Sequence, residues 1–302
     1  MTIRPIYIDG DALPANGTAL QLKTGATGEV EASSGGGGGG GGGSTITSPL
    51  ICYVQANGDD GTAVVGNPAL PFLNSQQAFD AGVALSTPFC IHFGVGTHSG
   101  ITVANDMTNT CNLTGEGFGV SIINEIYGLG AAGVSAMADD TPGDPGQPGK
   151  TLLFDSDGTV DVISILSSGG TGGNGGPGAT GGNGGDGGNN GVMRLRGVWG
   201  SGLCASEGGS GGSGGGGSGI TGNQGGGAYV TLFKCVFGNG IYVGTGYGSS
   251  AGLVKITQCT SGTVINVIAG GGYVNQCNAE SFSVTGGPTE AGNTTGANAH
   301  TV

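Results

Sequence analysis

A pattern that recurs four times in the second half of the chain constrains the fold most. An apolar residue stands three positions before a second apolar residue or a cysteine, and a corner of Gly, Asn or Ser follows. The four copies lie at 195–198, 232–235, 256–259 and 274–277, and a second β-prone run follows each of them. Their starts are 37, 24 and 18 residues apart, and the longest interval contains a glycine-rich insertion.

Short repeats of this kind bury their apolar face only against neighbouring repeats, so stacking places like on like. The predicted internal ladders are Leu232, Ile256 and Val274, and Cys235, Cys259 and Cys277. The seven cysteines are odd in number and three share one repeat position, which favours buried thiols over disulfides. We therefore expect assembly in a reducing cytoplasm.

One segment of the first half has the pattern of an amphipathic helix. It covers residues 75–85, Asn74 or Ser75 is its predicted N-cap, and Ala78, Phe79, Gly82, Val83 and Leu85 are its predicted inward face. A stacked array needs a cap of this kind, because its first repeat otherwise exposes an apolar end and unpaired strand edges.

The order of motifs around this helix resembles a known fold. TyrValGlnAlaAsnGlyAspAsp from Tyr53, ProPheLeu from Pro71 and a helix ending at Leu85 are similar to the opening of pectin-lyase-like β-helices. The resemblance implies an all-β protein, a right-handed parallel β-helix (solenoid) with one N-terminal capping helix, over residues 49–287.

Glycine supplies 74 of the 302 residues, and much of it lies in three insertions at about 128–150, 169–191 and 208–227. Residues 169–191 form triplets such as GlyGlyAsn, which match the three residues per turn of a polyproline-II-type helix. Bare glycine edges would let such helices pack backbone to backbone. We predict polyglycine II-like loops packed side by side; mobile low-complexity insertions are the alternative.

Charge excludes some partners. The net charge is −13 with seven Lys and Arg, which leaves no basic patch for nucleic acid. No run of eighteen apolar residues is present, so we expect no membrane insertion.

The best cluster for chemistry is Asp155, Asp157 and Asp161, with Arg194 and Arg196 expected one repeat away. Paired carboxylates serve glycan-cleaving enzymes, and Asp155 and Asp157 also resemble part of a calcium loop. A solvated turn is the interpretation that we favour for these carboxylates. We expect no enzymatic activity and no cofactor, with Ca²⁺ as the single candidate ion.

The overall order of segments resembles bacteriophage tail-spike, tail-fibre and head-fibre proteins, and the glycine loops resemble those of phage tail-fibre adhesins. It comprises a leading segment 1–34, a glycine-rich linker 35–48, the repeat region and a tail 288–302. The resemblance implies a homotrimer on the virion surface, assembled in the host cytoplasm and bound to other virion proteins through residues 1–34. The expected anchoring residues are Ile6, Tyr7, Ile8, Asp9 and Asp11.

The glycine loops and neighbouring repeat edges are the expected contact surface for a host glycan or protein. The candidate binding residues are Asn174, Pro177, Thr180, Asn183, Asp186, Ile220, Asn223, Tyr242 and Tyr247. Two alternatives stay open: a depolymerising tail-spike enzyme, and a subunit of a cell-surface filament or adhesin.

Overall fold

The computed structural model describes residues 21–24, 30–33, 50–178, 180–189, 191–216, 218–223, 225, 229–244 and 252–295. The chain divides into two compact units, Met1–Ile46 and Thr47–Val302. In the first unit, β1 (Gln21–Thr24) pairs antiparallel with β2 (Val30–Ser33). The predicted anchoring residues Ile6, Tyr7, Ile8, Asp9 and Asp11 and the linker 35–48 lie outside the described residues.

The second unit is all-β with a single described helix, and its strands form two parallel sheets. The first sheet has nine strands. They are β3 (Leu50–Val54), β4 (Phe89–Phe93), β7 (Cys111–Gly115), β9 (Leu152–Ser156), β11 (Met193–Arg196), β14 (Val230–Phe233), β17 (Leu253–Thr257), β20 (Gly271–Asn275) and β23 (Thr289–Ala291). Their order across the sheet is β23-β20-β17-β14-β11-β9-β7-β4-β3.

The second sheet has thirteen strands, and most are short. They are β5 (Gly96–His98), β6 (Ile101–Thr102), β8 (Ser121–Leu129), β10 (Asp161–Ser168), β12 (Trp199–Gly200), β13 (Leu203–Glu207), β15 (Val236–Phe237), β16 (Gly240–Val243), β18 (Thr260–Ser261), β19 (Val264–Ala269), β21 (Asn278–Ala279), β22 (Ser281–Gly286) and β24 (Thr294–Thr295). The chain passes repeatedly from one sheet to the other, and we call the strands at one level a rung.

In-register pairing stacks like side chains in columns. Leu195 pairs with Leu232, Leu232 with Ile256, and Ile256 with Val274, which confirms that predicted ladder. The column continues in the other direction through Phe154. All five side chains are buried in one apolar cluster.

The thiol ladder is also confirmed. Cys235, Cys259 and Cys277 are buried at successive corners, and the Cys235 carbonyl accepts a hydrogen bond from the amide of Thr260, which follows Cys259 (2.9 Å). All seven cysteines are buried and free of disulfides. Burial raises the pKa of the Cys111 and Cys204 thiols well above the ordinary value.

Left-handed residues turn the chain at these corners. The residue before each ladder cysteine has φ of 53° or 54°, and Gly197 takes the same place one rung earlier with φ 64°. A left-handed conformation costs a residue with a Cβ roughly 1–2 kcal/mol. The corner therefore accepts Lys234, Gln258 and Gln276 at a modest local cost.

Helix α1 (Ser75–Ala84) confirms the predicted helix. The side chain of Asn74 caps it by accepting a hydrogen bond from the Gln76 amide (2.8 Å). Ala78, Phe79 and Gly82 are buried as expected, but Val83 is 46 % exposed, so the inward face is narrower than predicted. The Phe79 ring packs against the rings of Phe89 and Phe154, with centroids 5.9 and 6.1 Å away.

Candidate functional site

The three glycine-rich insertions follow strands β8, β10 and β13 and form six extended arms. They are arm 1 (130–138), arm 2 (141–149), arm 3 (169–177), arm 4 (181–189), arm 5 (208–216) and arm 6 (218–223 and Gly225). Arms 1, 3 and 5 lead away from the strands and arms 2, 4 and 6 return. We call the six arms the glycine bundle.

Backbone hydrogen bonds recur every three residues along the arms, as the triplets predict. Gly133 donates to Thr171 (2.7 Å) and Gly172 to Ser210 (2.8 Å), which joins arms 1, 3 and 5 into one layer. Gly146 donates to Asp186 (2.8 Å) and Gly187 to Asn223 (2.8 Å), which joins arms 2, 4 and 6 into a second layer.

The two layers are also bonded to each other. The amide of Gly173 donates to the carbonyl of Asp144 (2.8 Å), Gly185 to Gly173 (2.7 Å) and Gly212 to Gly185 (2.8 Å). Arms 2, 3, 4 and 5 are thereby linked in sequence. These bonds offset the entropy that ordering a glycine-rich chain costs.

Glycine is a steric requirement inside the bundle. A Cβ at Gly172 would lie 1.9 Å from the carbonyl oxygen of Gly185, and one at Gly185 would lie 2.0 Å from that of Asp144. Ordinary contacts begin at 3.4 Å. Arms 3, 4 and 5 have glycine at two or more positions of every three, whereas arms 1, 2 and 6 have it at one position of three or fewer.

The side chains at the third positions bond to the next arm. The Oδ1 atom of Asn174 accepts from the Ser213 amide (3.0 Å), that of Asn183 from the Ile220 amide (3.1 Å), and that of Asp186 from the Asn223 amide (2.7 Å). The sequence predicted binding roles for Asn174, Asn183 and Asp186. Their side chains also hold neighbouring arms together, which the triplet pattern did not indicate.

Asp140 fastens the tips of the first two loops together. Its Oδ1 accepts hydrogen bonds from the amides of Thr180 (3.1 Å) and Gly181 (2.7 Å), and its own amide donates to the Pro177 carbonyl (2.6 Å). The Thr180 carbonyl in turn accepts from the Ser218 amide (2.9 Å), which ties in the third loop.

Several side chains at this end of the bundle are exposed. Pro177 and Thr180 lie at the tip as exposed residues, and Met137 beside them is 94 % exposed. Further from the tip, on the returning layer, Ile220 is 67 % exposed and Asn223 is also exposed. The fold therefore gathers most of the predicted binding residues on one bonded unit.

The two tyrosines are not part of that unit. Tyr242 is half-buried on β16, in register with Ala205 and Asn266 of the second sheet. Tyr247 lies outside the described residues.

A separate groove runs over the first sheet. Six of its lining residues are Cys90, Asn112, Thr114, Asp155, Asp157 and Arg196. Asp155 is in register with Arg196 on one side and with Asn112 on the other, so the expected neighbourhood of these two charges is present.

Asp161 does not join this groove, which corrects the predicted cluster. Its carboxylate is buried and accepts a hydrogen bond from the Ser201 amide (2.7 Å), so it braces the corner before β13. Arg194 donates to the Thr110 hydroxyl (2.6 Å). Asp157 accepts from the backbone and the hydroxyl of Thr159, which is the pattern of a polar turn.

Sequence reasoning assigned no functional role to four side chains around the groove. The Cys90 thiol lies 3.4 Å from the Thr114 hydroxyl, which is 3.1 Å from Nδ1 of His92. Nε2 of His92 lies 3.1 Å from Oε1 of Glu116, and the two form an ion pair when the imidazole is protonated. No sequence motif marks these side chains, because their contacts join β4 to β7 and to Glu116 just after it, more than twenty residues along the chain.

Within the described residues, no group of three or more His, Cys, Asp and Glu side chains is placed to hold a metal ion. Calcium at Asp155 and Asp157 stays a prediction. In the same part of the chain, no helix is long and apolar enough to cross a membrane.

The chain matches no protein-family model, no curated protein and no solved structure with which it was compared.

Proposed function

We propose that the second unit is a right-handed parallel β-helix with an N-terminal capping helix and a polyglycine II-like bundle. The alternation of the chain between two parallel sheets and the columns of in-register side chains support the solenoid. Parallel strands joined by crossovers are right-handed in ~98 % of cases. The three-residue period of the hydrogen bonds supports the polyglycine II assignment.

On this scaffold, we propose a non-enzymatic structural protein of a virion surface, such as a phage fibre, spike or decoration protein. The observation that carries the proposal is the bonded set of tips. Arms 1 to 5 have nine residues each, which at about 3.1 Å per residue extend on the order of 28 Å. Hydrogen bonds between backbones hold the three tips together at about that distance from the strands. Such a bundle presents a fixed surface to a partner with little loss of loop entropy on binding.

The partners follow from the resemblance to phage fibres. The chain associates with itself as a homotrimer, residues 1–34 attach to other virion proteins, and the tip surface contacts a host glycan or protein. The protein is assembled in the host cytoplasm and displayed on the particle.

The binding half of this proposal is tested with the full chain on a panel of bacterial cells and an array of bacterial surface polysaccharides. A variant with Met137→Ser, Pro177→Ala and Thr180→Ala should lose at least tenfold in affinity, because these exposed side chains would make the contact. Thr171→Ala, on an exposed layer position away from the tips, is the control. The binding proposal would be overturned if the wild type bound no cell or polysaccharide, or if the tip variant bound as tightly as the wild type.

The anchoring half is tested separately with Ile6→Asp and Ile8→Asp together in the full chain. The variant should fold, as judged by circular dichroism, yet be depleted from purified particles. Normal incorporation would show that residues 1–34 do not attach the protein.

One observation favours a second function, glycan depolymerisation: Asp155, Asp157 and Arg196 line one groove. Incubation with the same polysaccharides and detection of released oligosaccharides by mass spectrometry tests it. Release that Asp155→Asn together with Asp157→Asn abolishes would establish an enzyme. Binding without release supports the structural role.

A further inference from the structure

The last rung is formed by β22, β23 and β24. At some of its positions, polar residues replace the apolar residues and cysteines that occupy the same columns in earlier rungs. Glu290 pairs in register with Val274, so it occupies the position that Leu195, Leu232 and Ile256 fill in earlier rungs. In-register neighbours on parallel strands place their side chains on the same face. A carboxylate therefore ends a column that is apolar from Phe154 onward.

The thiol ladder ends in the same way. Gly292, with φ 63°, repeats the left-handed corner, and Asn293 follows it where a cysteine follows in the three preceding rungs. Its side-chain Nδ2 donates to the Val274 carbonyl (2.9 Å), and its Oδ1 accepts from the Cys277 backbone amide (3.0 Å). Asn293 thereby satisfies backbone groups of the rung below.

Asn293 also connects the two substituted columns, since its Nδ2 lies 3.3 Å from Oε2 of Glu290. Two columns of buried side chains in the earlier rungs thus end together in polar residues. On β22 of the second sheet, Phe282 and Val284 stay apolar and partly buried.

The two ends of the stack face one physical problem. A terminal rung presents unpaired strand edges and apolar column ends, which pair readily with another chain. At the first rung, α1 packs against β3 and β4 and covers the core. At the last rung, no strand among the described residues pairs with the outer edges of β22, β23 and β24.

We infer that the last rung, residues 281–295, is a terminating cap whose inward Glu290 and Asn293 keep a second copy of this chain from stacking on that end. A second copy would have to bury the carboxylate of Glu290 against its own, and buried like charges without partners are strongly unfavourable. In a single copy, a carboxylate at this position of the column is tolerated, because the Glu290 side chain is exposed to solvent.

The test restores the residue types of the earlier rungs in the full chain. Glu290→Val with Asn293→Val uses the residues found at Val274 and Val198, the equivalent corner position. Mass is measured by light scattering after size exclusion from 1 to 100 µM. We expect the wild type to keep one mass over this concentration range. The double variant should reach twice that mass, with an association constant at least tenfold higher than that of the wild type.

Glu280→Val, which removes an exposed carboxylate of the preceding rung, is the matched control and should keep the wild-type mass. Glu290→Val alone retains the Asn293 bonds to Val274 and Cys277, so it tests the cap if the double variant fails to fold. Glu290→Lys should stay at the wild-type mass, because it keeps an inward charge. A wild-type mass for every folded variant that carries Glu290→Val, or doubling by the Glu280 control as well, would overturn the inference.

Discussion

Replacing Gly185 by alanine adds one methyl group at the centre of the glycine bundle. The new Cβ would lie 2.0 Å from the Asp144 carbonyl oxygen and 2.5 Å from its carbon. To restore a 3.4 Å contact, arms 2 and 4 must separate locally by about 1.4 Å, the difference between 3.4 and 2.0 Å. Both contacting groups are backbone, so no side-chain rotation can relieve the clash.

The separation breaks the bonds on either side of the new methyl. Gly143 donates to Asn183 at 2.9 Å and Gly146 to Asp186 at 2.8 Å, so an added 1.4 Å takes both beyond hydrogen-bonding distance. At about 0.5–1.5 kcal/mol net for each bond, the local opening free energy falls by about 1–3 kcal/mol. Since 1.4 kcal/mol is tenfold, this equals a change of roughly 5- to 150-fold.

Hydrogen exchange followed by mass spectrometry measures this opening directly. The amides of Gly143 and Gly146 should exchange roughly 5- to 150-fold faster in Gly185→Ala, while amides of the buried strands keep their rates. Gly216→Ala is the matched control, because its Cβ would lie 3.7 Å from the nearest atom. Equal exchange in the two variants would refute the close packing of the arms.

Three further outcomes follow from the packing. Asp140→Ala should speed exchange of the Thr180 and Gly181 amides by roughly tenfold, since each loses a charge-assisted acceptor, and Asp139→Ala, with no such bond, should not. Leu195→Ala should lower the free energy of unfolding by about 2–5 kcal/mol in urea titration, and a loss below 0.5 kcal/mol would contradict its place in the column. Burial, with a smaller contribution from Cys90, raises the pKa of Cys52 to about 11, above about 8.5 for an exposed thiol; this contribution to stability should be complete below about pH 8.5 and be lost as pH rises toward 11. Unfolding at stepped pH in wild type and Cys52→Ser checks the last point, and parallel alkaline slopes in the two proteins would argue against it.

Much of the second unit was predictable, because the spacing of equivalent residues in successive repeats indicates which residues pair. The spacing of Leu232, Ile256 and Val274 predicted their column, and the cysteine three positions later predicted the thiol ladder. The helix was predictable from its own period and from Asn74. The triplets predicted both the three-residue bonding period and the need for bare glycine edges.

Contacts between distant segments were not predictable in this way. The carboxylates at Asp155, Asp157 and Asp161 are close in sequence, yet a corner directs Asp161 into a buried bond with Ser201. The link from Asp140 to Thr180 and Gly181 spans about forty residues and has no local signal. The groove residues on β4, β7, β9 and β11 became neighbours only through pairing between strands.

The amino-acid sequence by itself determined which positions repeat, because a stacked strand and a three-residue helix each impose a fixed period on their side chains. The triplets also determined which positions require glycine, but they did not indicate which backbone atom a Cβ at each position would contact. Only the tertiary structure decided which arms neighbour one another, that Asn174, Asn183 and Asp186 brace the bundle, and that Glu290 closes a column of apolar residues. These facts depend on the register between segments far apart in the chain, and register is set by the packing of the whole array.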